Sequence, residues 1–324
     1  VHPFLLTSLD RFKNRVGKGA ADTTNDDQIL SIIAEASGIA DRFTGRNLRI
    51  RTYGGDDLDF EYADGNGSDT HQTKQWPIYS VTTVHDDTSR VWGSDFLKPA
   101  ADYLIHRDKG ELQLFPLATK GTIWKESTSN IKLAYTAGYG IFQIIDGVND
   151  KIDFEETTST ELTATVAEGL YNVTDLLTAL DTALDAAGAS THTCTYDYWE
   201  SKFSLVSDRS GGTPIFKLLT TGGTNVGTSI WRTIGFSTLA DVADADPAVH
   251  QADNSALGIP ADLEEAVLEI ALRIYQMTPG FGGARFDIVT QSQSGSHGQV
   301  YRYDENRLPR NALATLKRFK RLEV

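Results

Sequence analysis

Two spacings of apolar residues take turns along this chain. Leu9, Phe12 and Val16 recur at three and four residues, the period of one helical face. Thr7 and Asp10 have the spacing of a capping box before them, and Gly17 and Gly19 follow. A longer helix is expected from residues 24–27 onward, with Ile29, Ile32, Ile33, Ala36, Ala40 and Phe43 as its stripe and Gly45 as its stop. The period then falls to two. Strands are expected at residues 48–52, 56–62, 78–84, 103–106, 111–115 and 131–135. A polar loop spans 63–75, and Asp108-Lys109-Gly110 makes a short hairpin turn. This reads as an antiparallel meander, not a parallel sheet with crossover helices.

From Gly147 the character changes. Residues 151–154 and 161–166 look extended. Thr174 is expected to cap a helix carrying Leu176, Leu177, Leu180 and Leu184, which Gly188 stops. Strands follow at 193–198, 202–206 and 215–219, then one helical turn at 229–234 and a polar linker at 240–255. The strongest helical signal of the chain comes next, at 257–277. Pro260 opens it, and Asp262 with Glu265 resembles a capping box. Leu263, Val267, Ile270 and Ile274 form its stripe, widened by Ala266, Ala271 and Tyr275. Leu268 and Leu272 fall outside the stripe, so a second face is expected to be covered, by the domain itself or by a neighbouring subunit. The glycine- and serine-rich stretch 281–298 reads as an extended arm. It leads to a terminal helix at 311–322.

The expected fold class is therefore α+β: a small helical bundle with an antiparallel β region, interrupted by an inserted domain of β-α-β-β-β type. The parent fold occupies 1–146, the insert 147–254, the return helix 255–280, and the arm with its terminal helix 281–324.

Charge sharpens that division. The formal net charge of the 324 residues is −14. Residues 141–257 hold 17 acidic and 5 basic side chains, whereas the remainder holds 27 and 25. An acidic module is set into a nearly neutral one. Acidity disfavours general affinity for nucleic acid. The end of the chain runs the other way, with seven basic and three acidic residues from Arg302 onward. The single cysteine, Cys194, excludes an intrachain disulfide framework and a cysteine metal cluster. No apolar run reaches the length of a membrane span, and residues 1–12 lack a secretory apolar stretch, so synthesis in a cytoplasm is expected.

Candidate chemistry is sparse. Asp56, Asp57, Asp59 and Glu61 cluster without a histidine near them in sequence. Asp241, Asp244 and Asp246 lack the glycine and terminal glutamate of a calcium loop. His192 and Cys194 share a strand face, but two residues make neither a zinc site nor a catalytic pair with an orienting third group. The expected arrangement is a half-buried cysteine beside a surface histidine. The run from Thr221 to Asn225, TGGTN, lacks the lysine and following helix of a phosphate loop. Tyr196, Tyr198 and Trp199 offer aromatic faces for an external contact such as a sugar. No catalytic residue, metal ligand or cofactor is expected. The patterning favours an assembly or binding protein, with a tail-associated glycan-binding or glycan-processing protein as the alternative.

Four segments in series resemble the head–tail connector (adaptor) family of tailed bacteriophages. They are the end of the long helix, IADRFTGRNL; WPIYSVTTVHDD from Trp76 to Asp87; IKLAYTAGYG from Ile131 to Gly140; and IPADLEEAVLEIALRIYQM from Ile259 to Met277. The resemblance covers roughly residues 5–140 and 258–324. It implies a structural virion protein of the neck, a ring of about twelve copies under the portal, and passage of double-stranded DNA without sequence readout. It implies no enzyme activity. The insert departs from the family pattern, in which YTAGYG leads within a few residues to the P-x-D-L-x-x-A helix. It is expected to face outward toward a tail or neck protein or a fibre. The terminal helix is expected to dock on the portal, with Arg310, Lys317, Arg318, Lys320 and Arg321 supplying charge. Leu313, Leu316, Phe319 and Leu322 would order only when the portal covers them. Leu263, Val267, Ile270, Ile274 and Tyr275 are the candidates for core or ring packing.

Overall fold

The computed structural model describes residues 4–19, 22–55, 58–157, 159–208, 215–244, 248–278, 291–292, 300–301 and 308–320. Among the described residues five α-helices run in chain order: α1 Leu9–Arg15, α2 Asp26–Thr44, α3 Val173–Ala187, α4 Ala261–Met277 and α5 Arg310–Arg318. The strands of the first half are β1 Arg51–Tyr53, β2 Glu61–Gly65, β3 Thr70–Gln72, β4 Ile78–Asp86, β5 Tyr103–His106, β6 Glu111–Leu114 and β7 Ser127–Ala137. Those of the second are β8 Phe142–Ile144, β9 Lys151–Thr157, β10 Thr160–Thr165, β11 Gly169–Tyr171, β12 His192–Asp197, β13 Lys202–Ser207, β14 Lys217–Leu218 and β15 Val249–Gln251. A short pair, β16 Gln291–Ser292 with β17 Val300–Tyr301, follows α4. The fold is mixed α+β, and every pairing between these strands is antiparallel.

The chain divides into two compact units. The first comprises Val1–Gly45, Tyr198–Glu200 and Ile259–Val324; the second comprises Arg46–Asp197 and Ser201–Gly258.

In the first unit, α2 and α4 pack together although more than two hundred residues separate them, and α5 packs on α4. The expected stripes are the buried ones: Ile29, Ile32, Ile33, Ala36 and Ala40 on α2, and Leu263, Val267 and Ile270 on α4. Leu268 is buried too, so α4 is covered on more than one side within its own chain. Phe12 meets Tyr275 edge-on at 5.3 Å. The caps differ from expectation. Ser8, not Thr7, caps α1 by accepting from the Arg11 amide. The Thr7 hydroxyl turns to Glu264 instead, because that buried carboxylate needs donors. Asp262 and Glu265 make no capping box; both face cations, Arg318 and Arg15 respectively. Arg11 reaches Glu264 at 2.6 Å, tying α1 to α4.

In the second unit, the long β7 is the spine of the first sheet, pairing with β1 and β2 along one side and β4 along the other. β3, β6 and β5 form a second sheet. Tyr53, Val84, Trp124, Leu133 and Tyr135 share the core between them. Residues 63–75, expected as a loop, hold the end of β2 and all of β3. These strands are short and polar, so their sequence carries turn residues where pairing prevails.

The strands from 142 onward form sheets of their own: β11 with β8, β10-β9-β14, and β12-β13-β15. Among the described residues none pairs with a strand of 51–137. The module is richer than β-α-β-β-β, with strands on both sides of α3. Asn172, not Thr174, caps α3 by accepting from the Asp175 amide. The 240–255 segment is no free linker, since β15 pairs with β13. The expected helical turn at 229–234 is present, with the Thr233 and Ile234 amides both donating to the Ile230 carbonyl, and a 3₁₀ turn at Val226–Thr228 precedes it. Phe154, Phe203, Phe216 and Trp231 fill the interior.

The module leaves and rejoins the chain at one point. The amides of Gly140 and Ile141 both donate to the Gly258 carbonyl, at 2.9 and 3.0 Å. Arg49 also donates to the Leu257 carbonyl. Both glycines have left-handed φ, +122° and +62°. A Cβ on Gly258 would lie 3.0 Å from the Ile141 backbone, so only glycine lets the two crossings meet this closely.

Candidate interaction surfaces

The terminal helix α5 starts from Pro309, whose missing N–H is harmless at a helix start. Its periodicity separates two sides. Ala312, Leu316 and Phe319 are buried, with Leu313 half-buried. Arg310, Lys317, Arg318 and Lys320 are exposed. Arg318 forms an ion pair with Asp262 at 2.9 Å. The expectation of a free helix waiting for an outside apolar partner is corrected here: α4 and α2 already cover Leu316. What α5 offers outward is charge. Arg321 and Leu322 lie outside the described residues, as do Asp56, Asp57, Asp246 and most of the 281–298 arm. On α4, Ile274 and Tyr275 are only half-buried, unlike Leu263, Val267 and Ile270.

The aromatic run does not form one platform. Tyr196 is buried, packs on Phe203 at 4.8 Å and donates its hydroxyl to the Ala256 carbonyl. Strand alternation explains this, because β12 buries every second residue. Tyr198 is half-buried and Trp199 is 52% exposed.

The remaining candidates are structural. The amides of the TGGTN run are already taken by carboxylates of the chain: Thr221 and Gly222 donate to Asp241, Thr224 to Glu161, and Asn225 to Asp153. Four of the five amides of the loop are thus unavailable to a phosphate. Burial pushes the Asp241 carboxyl up, but the donors from Thr221 and Gly222 outweigh it and hold it below the usual carboxylate range. Asp244 accepts from the Phe216 amide. His192 is not on the surface. It is buried, with Nδ1 3.1 Å from Asp185 and Nε2 3.3 Å from Glu156. Burial raises the Cys194 thiol, and the neighbouring Asp181 raises it further, so the reactive thiolate is suppressed. Among the described residues no group of three or more His, Cys, Asp or Glu is arranged to hold a metal ion. No helix among them is long and apolar enough to cross a membrane.

Two presented loops stand out, the first at a turn that the adjacent Asp86 and Asp87 mark in the sequence. Asp87 accepts from the amides of Ser89, Val91 and Trp92 and from the Ser89 hydroxyl. Burial opposes its ionisation, but these donors prevail and lower it to about 2. The clamped loop leaves Val91 75% exposed and sets Trp92 beside Tyr62, at 5.8 Å. Asp102 likewise accepts from the amides of Thr119 and Lys120, in the loop that carries Leu117 at 93% exposure. The Asp86-Asp87 turn signal pointed to the first loop. No signal marked the second, because an isolated leucine in a polar stretch has no period.

No family model matches this chain, and a comparison with curated proteins returns no match.

Proposed function

We propose that the chain is a structural neck protein of a tailed bacteriophage, of the head–tail connector (adaptor) kind. Copies form a ring, about twelve by the resemblance, that joins the portal of the DNA-filled head to the tail. The genome passes through without sequence readout, and the protein carries no catalytic site. The observation that supports this most is the closure at Gly140 and Gly258. It makes residues 141–257 an excursion from a continuous parent chain, so that YTAGYG is followed in space by GIPADLEE, the order of the resembled family. The shared unit of α1, α2, α4 and α5 agrees with it, since helices from both sides of the excursion pack together.

On this reading the acidic module projects toward a tail protein, neck protein or fibre. The exposed cations Arg310, Lys317 and Lys320 meet acidic portal groups, where rim charge chiefly speeds encounter. A closed ring requires a head-to-tail interface between copies. The test is imaging of DNA-filled heads mixed with the purified protein. One copy per portal subunit, in a ring at the portal exit, is the expected result. Binding elsewhere on the particle, or none, overturns the proposal.

A further inference from the structure

The interior of the first sheet holds three polar side chains that an ordinary core does not need. Lys98, Asp86 and Asn130 are 4%, 2% and 0% exposed. They are joined in a row through one carboxylate. Lys98 Nζ lies 3.4 Å from Asp86 Oδ2, and Asn130 Nδ2 donates to Asp86 Oδ1 at 2.9 Å. The fully buried Trp124 ring stands 5.6 Å from the ammonium. The backbone brings them together: Asp86 ends β4 opposite Ile131 of β7, and the Lys98 amide donates to the Val84 carbonyl.

We propose that Lys98 and Asn130 become joined by an intramolecular amide bond, with Asp86 moving the protons. An ion pair alone requires neither the amide nor its surroundings. The Asn130 carbonyl accepts from the Gly65 amide at 2.8 Å, the position from which a donor stabilises charge developing on that oxygen. Its nitrogen is also held by the Lys125 carbonyl, at 2.9 Å. Gly65 is shaped for this approach. A Cβ there would lie 1.8 Å from the Lys125 carbonyl oxygen and 2.9 Å from Asn130 Nδ2. The pocket is closed to water, which removes the competing hydrolysis.

The step is balanced within these groups. Lys98 Nζ passes one proton to Asp86, leaves the Lys120 carbonyl that it bonds at 2.6 Å, and swings on its flexible stem toward Asn130 Cγ. Its lone pair forms the new C–N bond, and the negative charge gathers on Oδ1 beside the Gly65 amide. Asp86 gives its proton to Nδ2, the old C–N bond breaks, and ammonia leaves. A second proton from Nζ departs through Asp86 with the ammonia as ammonium. The carboxylate is regenerated, and no oxidant or cofactor takes part.

The measurement is the intact mass of the full chain, purified and denatured, followed by peptide mapping. The expected mass is that of the sequence less one ammonia, with a linked pair of peptides containing Lys98 and Asn130. Lys98→Arg and Asp86→Ala should each restore the full mass. The decisive reading is on the unaltered protein, so it does not depend on either variant folding. A full sequence mass overturns the proposal, as does an ammonia loss that maps elsewhere. The outcome is independent of any role in the neck.

Discussion

His71 is a neutral imidazole kept from water. It is 5% exposed, and its ring lies 5.5 Å from Trp124. Burial lowers it from its ordinary value to about 4, and repulsion from Lys74 lowers it further than Asp86 raises it. A group depressed in the folded state binds its proton first in the unfolded chain, near pH 6.5. Its contribution is therefore complete above pH 6.5, shrinks as pH falls toward 4, and is lost below. The shift corresponds to about 3 kcal/mol over that window. Chemical denaturation at pH 7.5 and 4.5 should show this acid loss, and His71→Gln should flatten it. An unchanged slope in the variant means that other groups carry the effect. Asp87 acts in a separate window. Its carboxylate supports the fold above the ordinary aspartate range, and that support fades as pH falls toward about 2. Neither effect was legible in the sequence: His71 sits in a polar run, and only pairing with Leu112 of β6 turns it inward.

At the scale of elements, α5 separates stability from recognition. Leu316 is fully buried on the bundle side, while Lys317 and Lys320 are exposed. Leu316→Ala should lower unfolding stability by about 2–4 kcal/mol through the cavity it leaves. Replacing Lys317 and Lys320 with glutamate should change it by no more than about 0.5 kcal/mol, yet weaken attachment to DNA-filled heads. Urea titrations check the first pair of outcomes, and co-sedimentation with heads checks the last. The helices were the most legible elements, because Ile29 to Ala40 and Leu263 to Ile270 repeat the helical period over several turns. Strand existence was read well where alternation was long, as in β4 and β7. It failed at β3 and β15, three residues each, where hydrogen bonding to a neighbour outweighs local composition. The caps at Ser8 and Asn172 were misread because two oxygen-bearing residues, one or two positions apart, compete and spacing alone does not choose between them.

For the whole molecule, the closure at Gly140 and Gly258 makes residues 142–256 removable. Excision of that stretch should leave a soluble chain whose helical content and cooperative melting persist, measured by circular dichroism. A chain that aggregates or melts without cooperativity argues that the module is part of the fold. In the sequence, the acidic charge and the long distance from YTAGYG to the return helix set residues 147–254 apart as an inserted domain. The sequence did not announce the meeting of the two crossings, because contacts between residues 118 positions apart have no local signature. The same closure has a mechanical consequence. Tension carried along the backbone of the module reaches the first sheet where its two crossings meet, not at two separated points. A load applied there cannot draw β1 and β7 apart by pulling on opposite ends of the sheet. The module can stretch and unravel to its full contour length while the strands that hold its base stay paired, so the excursion serves as a shock absorber mounted on one bolt.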